Sequence, residues 1–367
     1  MSQNINQEML IFEGKDYEEQ LVNLIQQAQY EILITCYILE NEKFGEKILN
    51  LLLGKSKQGV KVRLVVDGFG SWDWIDKILP RIKQENFEVR LFHPLNWRVL
   101  GWNIKRTFMR FNRRNHQKLF VFDKRIGLIG SRNINNEAIQ WRETSIEIIG
   151  PSVITLISLF DIIWQRSHDR FFKRYFPLIR REVASKVSDS KHIFSNHTRT
   201  LRKKVQIATL QKILNSKEEI FITTPYFFPT SKVMKALLRK GEDGVKISVL
   251  LPKHSDVLIS KWVSQYHNER LLKANVEIFE YNPSMLHAKS MVIDRWALIG
   301  SSNFNRRSVF RDLELDYSAD NEGTVRGLID QFQKDAANST KIHHVPHMGL
   351  MQKCFIMFIT RFFSSWL

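Results

Sequence analysis

Cysteine is almost absent from this chain of 367 residues: Cys36 sits in an apolar, β-rich run and Cys354 near the end. Two thiols give no disulfide framework, and the simpler setting is a reducing cytoplasm. Long apolar runs are missing as well. The opening Met-Ser-Gln-Asn-Ile-Asn-Gln-Glu has neither a basic start nor an apolar core, so no signal peptide or leading membrane span is expected. Acids are in deficit, 38 Asp and Glu against 55 Lys and Arg. The resulting net charge of +17 points to a polyanionic partner, either an anionic membrane or a nucleic acid. What is present is an ordinary globular composition, 43% hydrophobic and 11% aromatic, enough for one large core or two moderate ones.

Within it one pattern occurs twice. His116, Lys118 and Asp123 form a His-x-Lys-x-x-x-x-Asp motif that runs into Gly130, Ser131 and Asn133; His287, Lys289 and Asp294 repeat it and run into Gly300, Ser301 and Asn303. A single copy would be a weak signal, but two copies with the same tail are not chance. Each supplies an imidazole, an ammonium and an amide. His116 and Lys118 lie two apart in a run rich in β-formers, so both project from one strand face. Asp123, at an odd offset and followed by a turn signal, faces the other way, which suits a mainly structural role. The second turn, before Gly300, is one residue shorter. A returning strand in each copy brings Asn133 and Asn303 back beside the histidines. Two imidazoles with four phosphate-oxygen donors suit phosphodiester chemistry without a metal: one imidazole attacks phosphorus and the other protonates the leaving oxygen.

The repeat extends beyond the motifs. Tyr30-Glu-Ile-Leu-Ile-Thr-Cys-Tyr37 mirrors Glu219-Ile-Phe-Ile-Thr-Thr-Pro-Tyr226, and Gly59-Val-Lys-Val-Arg-Leu-Val-Val mirrors Gly244-Val-Lys-Ile-Ser-Val-Leu-Leu. Each half reads as strand, helix and strand before the motif hairpin, a duplicated α/β unit with layered sheets covered by helices. Asp16 with Glu19 predicts a capping-box start for a helix carrying Leu21, Leu24, Ile25 and Ala28. The expected organisation is a first lobe over 1–165, a basic connection over 166–204, a second lobe over 205–340 and an amphipathic tail over 341–367.

These residues resemble the phospholipase D superfamily and, within it, the bacterial cardiolipin synthases that lack N-terminal membrane spans. The resemblance covers most of the chain. The two motifs carry the superfamily, and flanking segments such as Arg114-Asn-His-Gln-Lys118, Trp141-Arg-Glu-Thr144, Thr224-Pro-Tyr-Phe-Phe-Pro229 and Asn305-Arg-Arg-Ser308 carry the lipid-synthase branch. It implies two phospholipase D-like lobes, each a mixed sheet flanked by helices, with one active site at their interface. It further implies a covalent phosphohistidine, with His116 as nucleophile and His287 as general acid and base. The near-symmetry of the sequence leaves the reverse assignment open. Lys118, Lys289, Asn133 and Asn303 hold the phosphate oxygens, and Glu143 and Glu314 match acidic positions that orient the histidines. The implied activity is transfer of a phosphatidyl group from phosphatidylglycerol to a second phospholipid with release of glycerol, without cofactor or metal, on the cytoplasmic face of the bacterial inner membrane as a peripheral protein. Hydrolysis to phosphatidic acid, and cleavage of single-stranded nucleic acid, stay open at this point, as does the oligomeric state.

Three segments bear on that choice. Over 96–118 seven Lys or Arg and no acid are interleaved with Trp97, Trp102, Phe108 and Phe111, which suits a lipid headgroup boundary or single-stranded nucleic acid. The connection is also basic and carries Phe171, Phe172, Tyr175 and Phe176. The apolar stretch 349–367, broken by Lys353 and Arg361, is too short and interrupted to span a membrane; it reads as an interfacial helix or as a terminal helix packed on the second lobe. His343, His344 and His347 lack the accompanying Cys or carboxylates that a metal site needs.

Overall fold

The structure is a computed structural model and describes residues 5–94, 112–167, 185, 187, 189–254, 258–345, 349, 351 and 356, without the side chains of 258–265. Most of the aromatic-basic stretch 96–118, the aromatic part of the connection and most of the tail lie outside the described residues.

In the first half, β1 (Gln7–Ile11), α1 (Gly14–Gln27), β2 (Glu31–Cys36), α2 (Lys43–Lys57), β3 (Lys61–Asp67), α3 (Trp72–Lys77) and β4 (Phe87–Phe92) lead to the first motif hairpin. That hairpin is β5 (Leu119–Phe122) with β6 (Ile126–Gly130), followed by α4 (Asn136–Gln140), β7 (Ser145–Ile149) and α5 (Ser152–Arg166). The second half repeats the plan. It runs β8 (Ile193–Ser195), α6 (Arg199–Asn215), β9 (Glu219–Thr223), α7 (Ser231–Glu242), β10 (Lys246–Pro252), α8 (Leu258–Lys273) and β11 (Glu277–Tyr281), then the hairpin β12 (Ser290–Ile293) with β13 (Trp296–Gly300). It closes with α9 (Arg306–Phe310), β14 (Leu315–Ala319), α10 (Glu322–Ala337) and β15 (Ser339–Lys341).

The sheet orders are β1-β7-β6-β5-β2-β3-β4 and β15-β11-β10-β9-β12-β13-β14-β8. All seven strands of the first match seven of the second in place and direction, with β2, β3 and β4 parallel and the motif hairpin antiparallel. Both sheets are therefore mixed, and each is buried on both faces. Ile32, Ile34, Val62, Phe120 and Phe122 pack outward under α1 and α2, while Leu33, Val65, Leu119 and Val121 pack inward. That inward set joins Phe221, Leu250, Val292, Ala297 and Ile299 of the second sheet, with residues of α5 and α10, in one shared core. Strands buried on two faces read as continuous apolar runs, which is why the sequence shows them clearly.

Two expectations need correcting. Helix α1 begins at Gly14 with Glu13 as N-cap and no side-chain cap, so Asp16 and Glu19 form no capping box. The start is fixed by packing instead, since a Cβ at position 14 would lie 1.8 Å from the carbonyl oxygen of Ile139. The connection also ends earlier than 204: β8 pairs antiparallel with β14, and α6 starts at Arg199 with Thr198 capping the N–H of Leu201. Among the described residues no helix is long and apolar enough to cross a membrane. Within the tail, Ile356 is buried against Phe228 of the second lobe.

Candidate active site at the lobe interface

Each motif places its aspartate away from the chemistry. The Asp123 carboxylate accepts hydrogen bonds from the N–H groups of Gln29, Tyr30 and Glu31 at 2.8, 2.7 and 2.9 Å. Asp294 does the same for Lys217, Glu218 and Glu219, each at 3.0 Å. Both lie in the hairpin turn with positive φ, a conformation that Asp tolerates better than most residues. They tie the motif hairpin to the start of the neighbouring strand, a structural use of the motif aspartates. Asp123→Ala is expected to lower thermal stability by ~1–3 kcal/mol, because three strand N–H groups lose their acceptor. KM should stay unchanged. A variant with normal melting and no turnover would return Asp123 to the chemistry.

The histidines come together by an exchange between lobes. Just before β5, the His116 N–H donates to the carbonyl of Leu313 at 3.0 Å; just before β12, the His287 N–H donates to the carbonyl of Arg142 at 2.9 Å. Parallel bridges Asn115 to Leu313 and Arg142 to Leu286 complete the two seams. These seams carry the carboxylates across: His116 Nδ1 lies 3.1 Å from Glu314 Oε2, and His287 Nδ1 lies 2.7 Å from Glu143 Oε1. Each histidine is thus held by the glutamate of the opposite lobe, and the His287 Nε2 also lies 3.1 Å from Lys289 Nζ. Tyr37 tilts against the His116 ring at 5.1 Å and Trp141 against His287 at 5.3 Å, fixing the ring planes. A buried ion pair between Arg142 and Asp335 of α10, at 2.8 Å, locks the same seam.

The lysines are buried beside their histidines. Lys118 Nζ donates to the His116 carbonyl at 2.9 Å and Lys289 Nζ to that of His287 at 2.7 Å. Burial draws Lys118 down to about 8 against the pull of Glu314 and Glu143. Both asparagines of the tails have a buried Oδ1 with no hydrogen-bond partner. Among the described residues no group of three or more His, Cys, Asp or Glu is placed to hold a metal ion.

The near-symmetry breaks in the electrostatics. Burial lowers both histidines; His116 goes well below 6.5, with the charge of Lys118 adding to the effect, whereas Glu143 opposes the shift in His287. Burial pushes Glu314 up to about 7 against Lys118 and the hydroxyls of Ser301 and Ser308, which donate to it at 2.5 and 2.6 Å. Burial would raise Glu143 too, but His287, Lys289 and Arg132 together hold it down at about 2. Arg132 has Ser302 as its twin, so one lobe has a buried cation behind the glutamate and the other does not. The sequence marked Glu143 and Glu314 but gave no sign that they cross between lobes, and it missed Ser301, Ser308, Tyr37 and Trp141 as parts of the site. The recurrence of Ser131 as Ser301 and of Tyr37 as Tyr226 was the signal available.

Comparison with known proteins agrees with this architecture. The family model described as "Cardiolipin synthase, PLD-like domain" matches residues 21–164 and 209–336. Cardiolipin synthase 2 of Staphylococcus epidermidis is 28% identical over 342 residues, covering 90% of this chain and 68% of that protein. The cardiolipin synthase of Clostridium perfringens is 27% identical over 345 residues, covering 91% and 71%. The major cardiolipin synthase of Bacillus subtilis is 25% identical over 347 residues, covering 92% and 70%. Among solved structures, phosphatidylserine synthase of Haemophilus influenzae superposes with a TM-score of 0.71 at 13% identity, over 98% of this chain and 95% of that one, which is a likeness of fold.

Proposed function

Because the chain belongs to the family of cardiolipin synthase, phospholipase D-like domains, we propose that it is a phosphatidyltransferase that makes cardiolipin from two molecules of phosphatidylglycerol. The observation that carries this reading is the pair of histidines, each with Nδ1 held by a buried glutamate and a buried lysine beside it. His116 Nε2 attacks phosphorus and the P–O bond to glycerol breaks, while His287 gives its proton to the departing oxygen. The phosphatidyl group then sits on His116. His287, now neutral, takes the proton of a hydroxyl on the second phosphatidylglycerol, whose oxygen attacks phosphorus and frees His116.

The electrostatics support this division of roles. A histidine lowered well below 6.5 is neutral and nucleophilic at physiological pH. Burial lowers the other histidine as well, but the ionised carboxylate at its Nδ1 opposes that shift, so of the two it keeps a proton more readily. Lys118, Lys289, Asn133 and Asn303 stabilise the charge on the non-bridging oxygens, where fixed donors in a site with little water are worth several kcal/mol. The proposed setting is peripheral, at the cytoplasmic face of the inner membrane, with the basic and aromatic residues of 96–111 as its contact with anionic lipid.

Incubation with phosphatidylglycerol vesicles, with labelled single-stranded DNA in parallel, tests the proposal. Cardiolipin and glycerol in equal amounts are the expected products, in the presence of chelator as in its absence, because lysines rather than a carboxylate cluster neutralise the phosphate. Phosphatidic acid would make the protein a hydrolase, and cut DNA with intact lipid would make it a nuclease.

A further inference from the structure

The two lobes differ most on the outer face behind the motif hairpin. In the first lobe α1 is fully seated: Tyr17, Leu21, Leu24 and Ile25 are at most 3% exposed. Arg132 fills the space behind the site, with its guanidinium 5.2 Å from the Tyr17 ring and hydrogen bonds to the carbonyls of Ala138 and Phe12. The equivalent hairpin aspartates fix the alignment of α1 with α6, because Asp123 caps Glu31 and Asp294 caps Glu219. Counting back from these residues, Tyr17 corresponds to Val205, Leu21 to Thr209 and Gly14 to Arg202, while Arg132 corresponds to Ser302.

Every one of these exchanges opens the second lobe. Where Gly14 lets α1 touch the backbone of α4, the side chain of Arg202 reaches the Phe310 carbonyl at 2.9 Å and stands between α6 and α9. Only Leu201 and Ile213 of α6 are buried. A cleft of about 1050 Å³, counting its mouth, results between α6, α7 and the sheet. Val205, Leu210, Val233, Met291 and Phe304 form its apolar wall. Of the polar groups that line it, Asp316 is engaged by the hydroxyl and N–H of Ser302 at 2.5 and 3.0 Å and the Arg202 guanidinium by the Phe310 carbonyl, while Arg202 Nε and Asn303 Oδ1 have no partner among the described residues. Lys289, Asn303 and Glu314 of the active site also line the cleft, so the two share a wall.

We propose that this cleft holds one acyl chain of the phospholipid whose phosphate is bound by Lys289 and Asn303, an assignment that rests on the lipid-transferase reading. The geometry sets the chemistry of the ligand. An apolar groove that shares a wall with a cationic, amide-bearing site fits a phosphate ester with an attached alkyl chain, and its first-lobe counterpart is filled by Tyr17 and Arg132.

Binding of butyl phosphate and dodecyl phosphate, each below its micelle concentration, tests this without turnover. A methylene taken out of water multiplies affinity about fourfold, so a chain that enters the cleft gives dodecyl phosphate at least ~10-fold tighter binding than butyl phosphate. Val205→Tyr, which places the first lobe's plug in the second, and Val233→Trp are expected to bind butyl phosphate as the parent does and to lose that gain. The inference fails if the parent shows no gain, or if the gain survives in a variant that melts normally. Should Val205→Tyr not fold, Val233→Trp decides. Turnover of phosphatidylglycerol by the same preparations separates the two readings. A chain-length gain without turnover sinks the transferase and keeps the cleft, and turnover without a gain does the reverse.

Discussion

Replacing His116 or His287 with Ala is expected to reduce phosphatidyl transfer by about 10⁴-fold or more, because one group must attack and the other must protonate a poor alkoxide leaving group. The two losses differ in kind. With a p-nitrophenyl ester of phosphatidic acid as donor, the leaving group needs no proton, so His287→Ala should still load His116 and release nitrophenol in a single burst. His116→Ala should show no burst and carry no phosphatidyl group. A burst in His116→Ala with none in His287→Ala would reverse the roles, and near-normal turnover in either variant would end the two-histidine mechanism. Melting of each variant guards against simple misfolding, since both side chains lie in the seam between lobes.

Glu143→Gln should move the alkaline limb of the kcat profile to lower pH. Glu143, held at about 2, is ionised throughout the working range and favours the protonated form of His287. With an amide in its place that proton leaves at a lower pH, and turnover above neutrality falls by about 10²-fold, the size of a lost general-acid contribution. Glu314→Gln behaves differently. Its carboxyl, raised to about 7 by burial, is largely protonated below that pH, and Gln is a fair copy of the protonated form. Parent and variant should therefore run together below about 7 and separate above it. Profiles measured in mixed micelles check both statements. Two variants with identical profiles would mean that the carboxylates are equivalent and that Arg132 does not distinguish them.

Much of the architecture was legible because its strands are buried on both faces, as in Glu31–Cys36 and Leu119–Phe122, and because each pattern occurs twice in the same order. The His and Lys positions stand out through the repeated motif, although all four lie just before β5 and β12 and not on a strand face as their spacing suggested. The exchange of Glu143 and Glu314 does not stand out, since it depends on the seams at Leu313 and Arg142, which join residues far apart in sequence and leave no local pattern. The edge strands β8 and β15, three residues each, are too short for periodicity to register. The α1 start was misjudged for a related reason. Asp16 and Glu19 have the spacing of a capping box, but the close approach of Gly14 to Ile139 decides where the helix begins. The aspartates show the limit of a motif: Asp123 and Asp294 recur with the histidines because both copies need the same hairpin anchored to the same strand.

Two histidines, each served by the other lobe's glutamate, make a closed two-way exchange of the kind found where identical subunits meet across a two-fold axis. Such a pair of separate chains would be bound by its symmetry, and any residue placed behind one glutamate would stand behind both. Carrying the two copies on one polypeptide removes that constraint. Position 132 can be Arg while its twin at 302 is Ser, so one side is filled by a buried guanidinium while the other is left open. Moving a group from a donor to a chemically similar acceptor needs two unlike sides, and joining the halves end to end lets one active site have them.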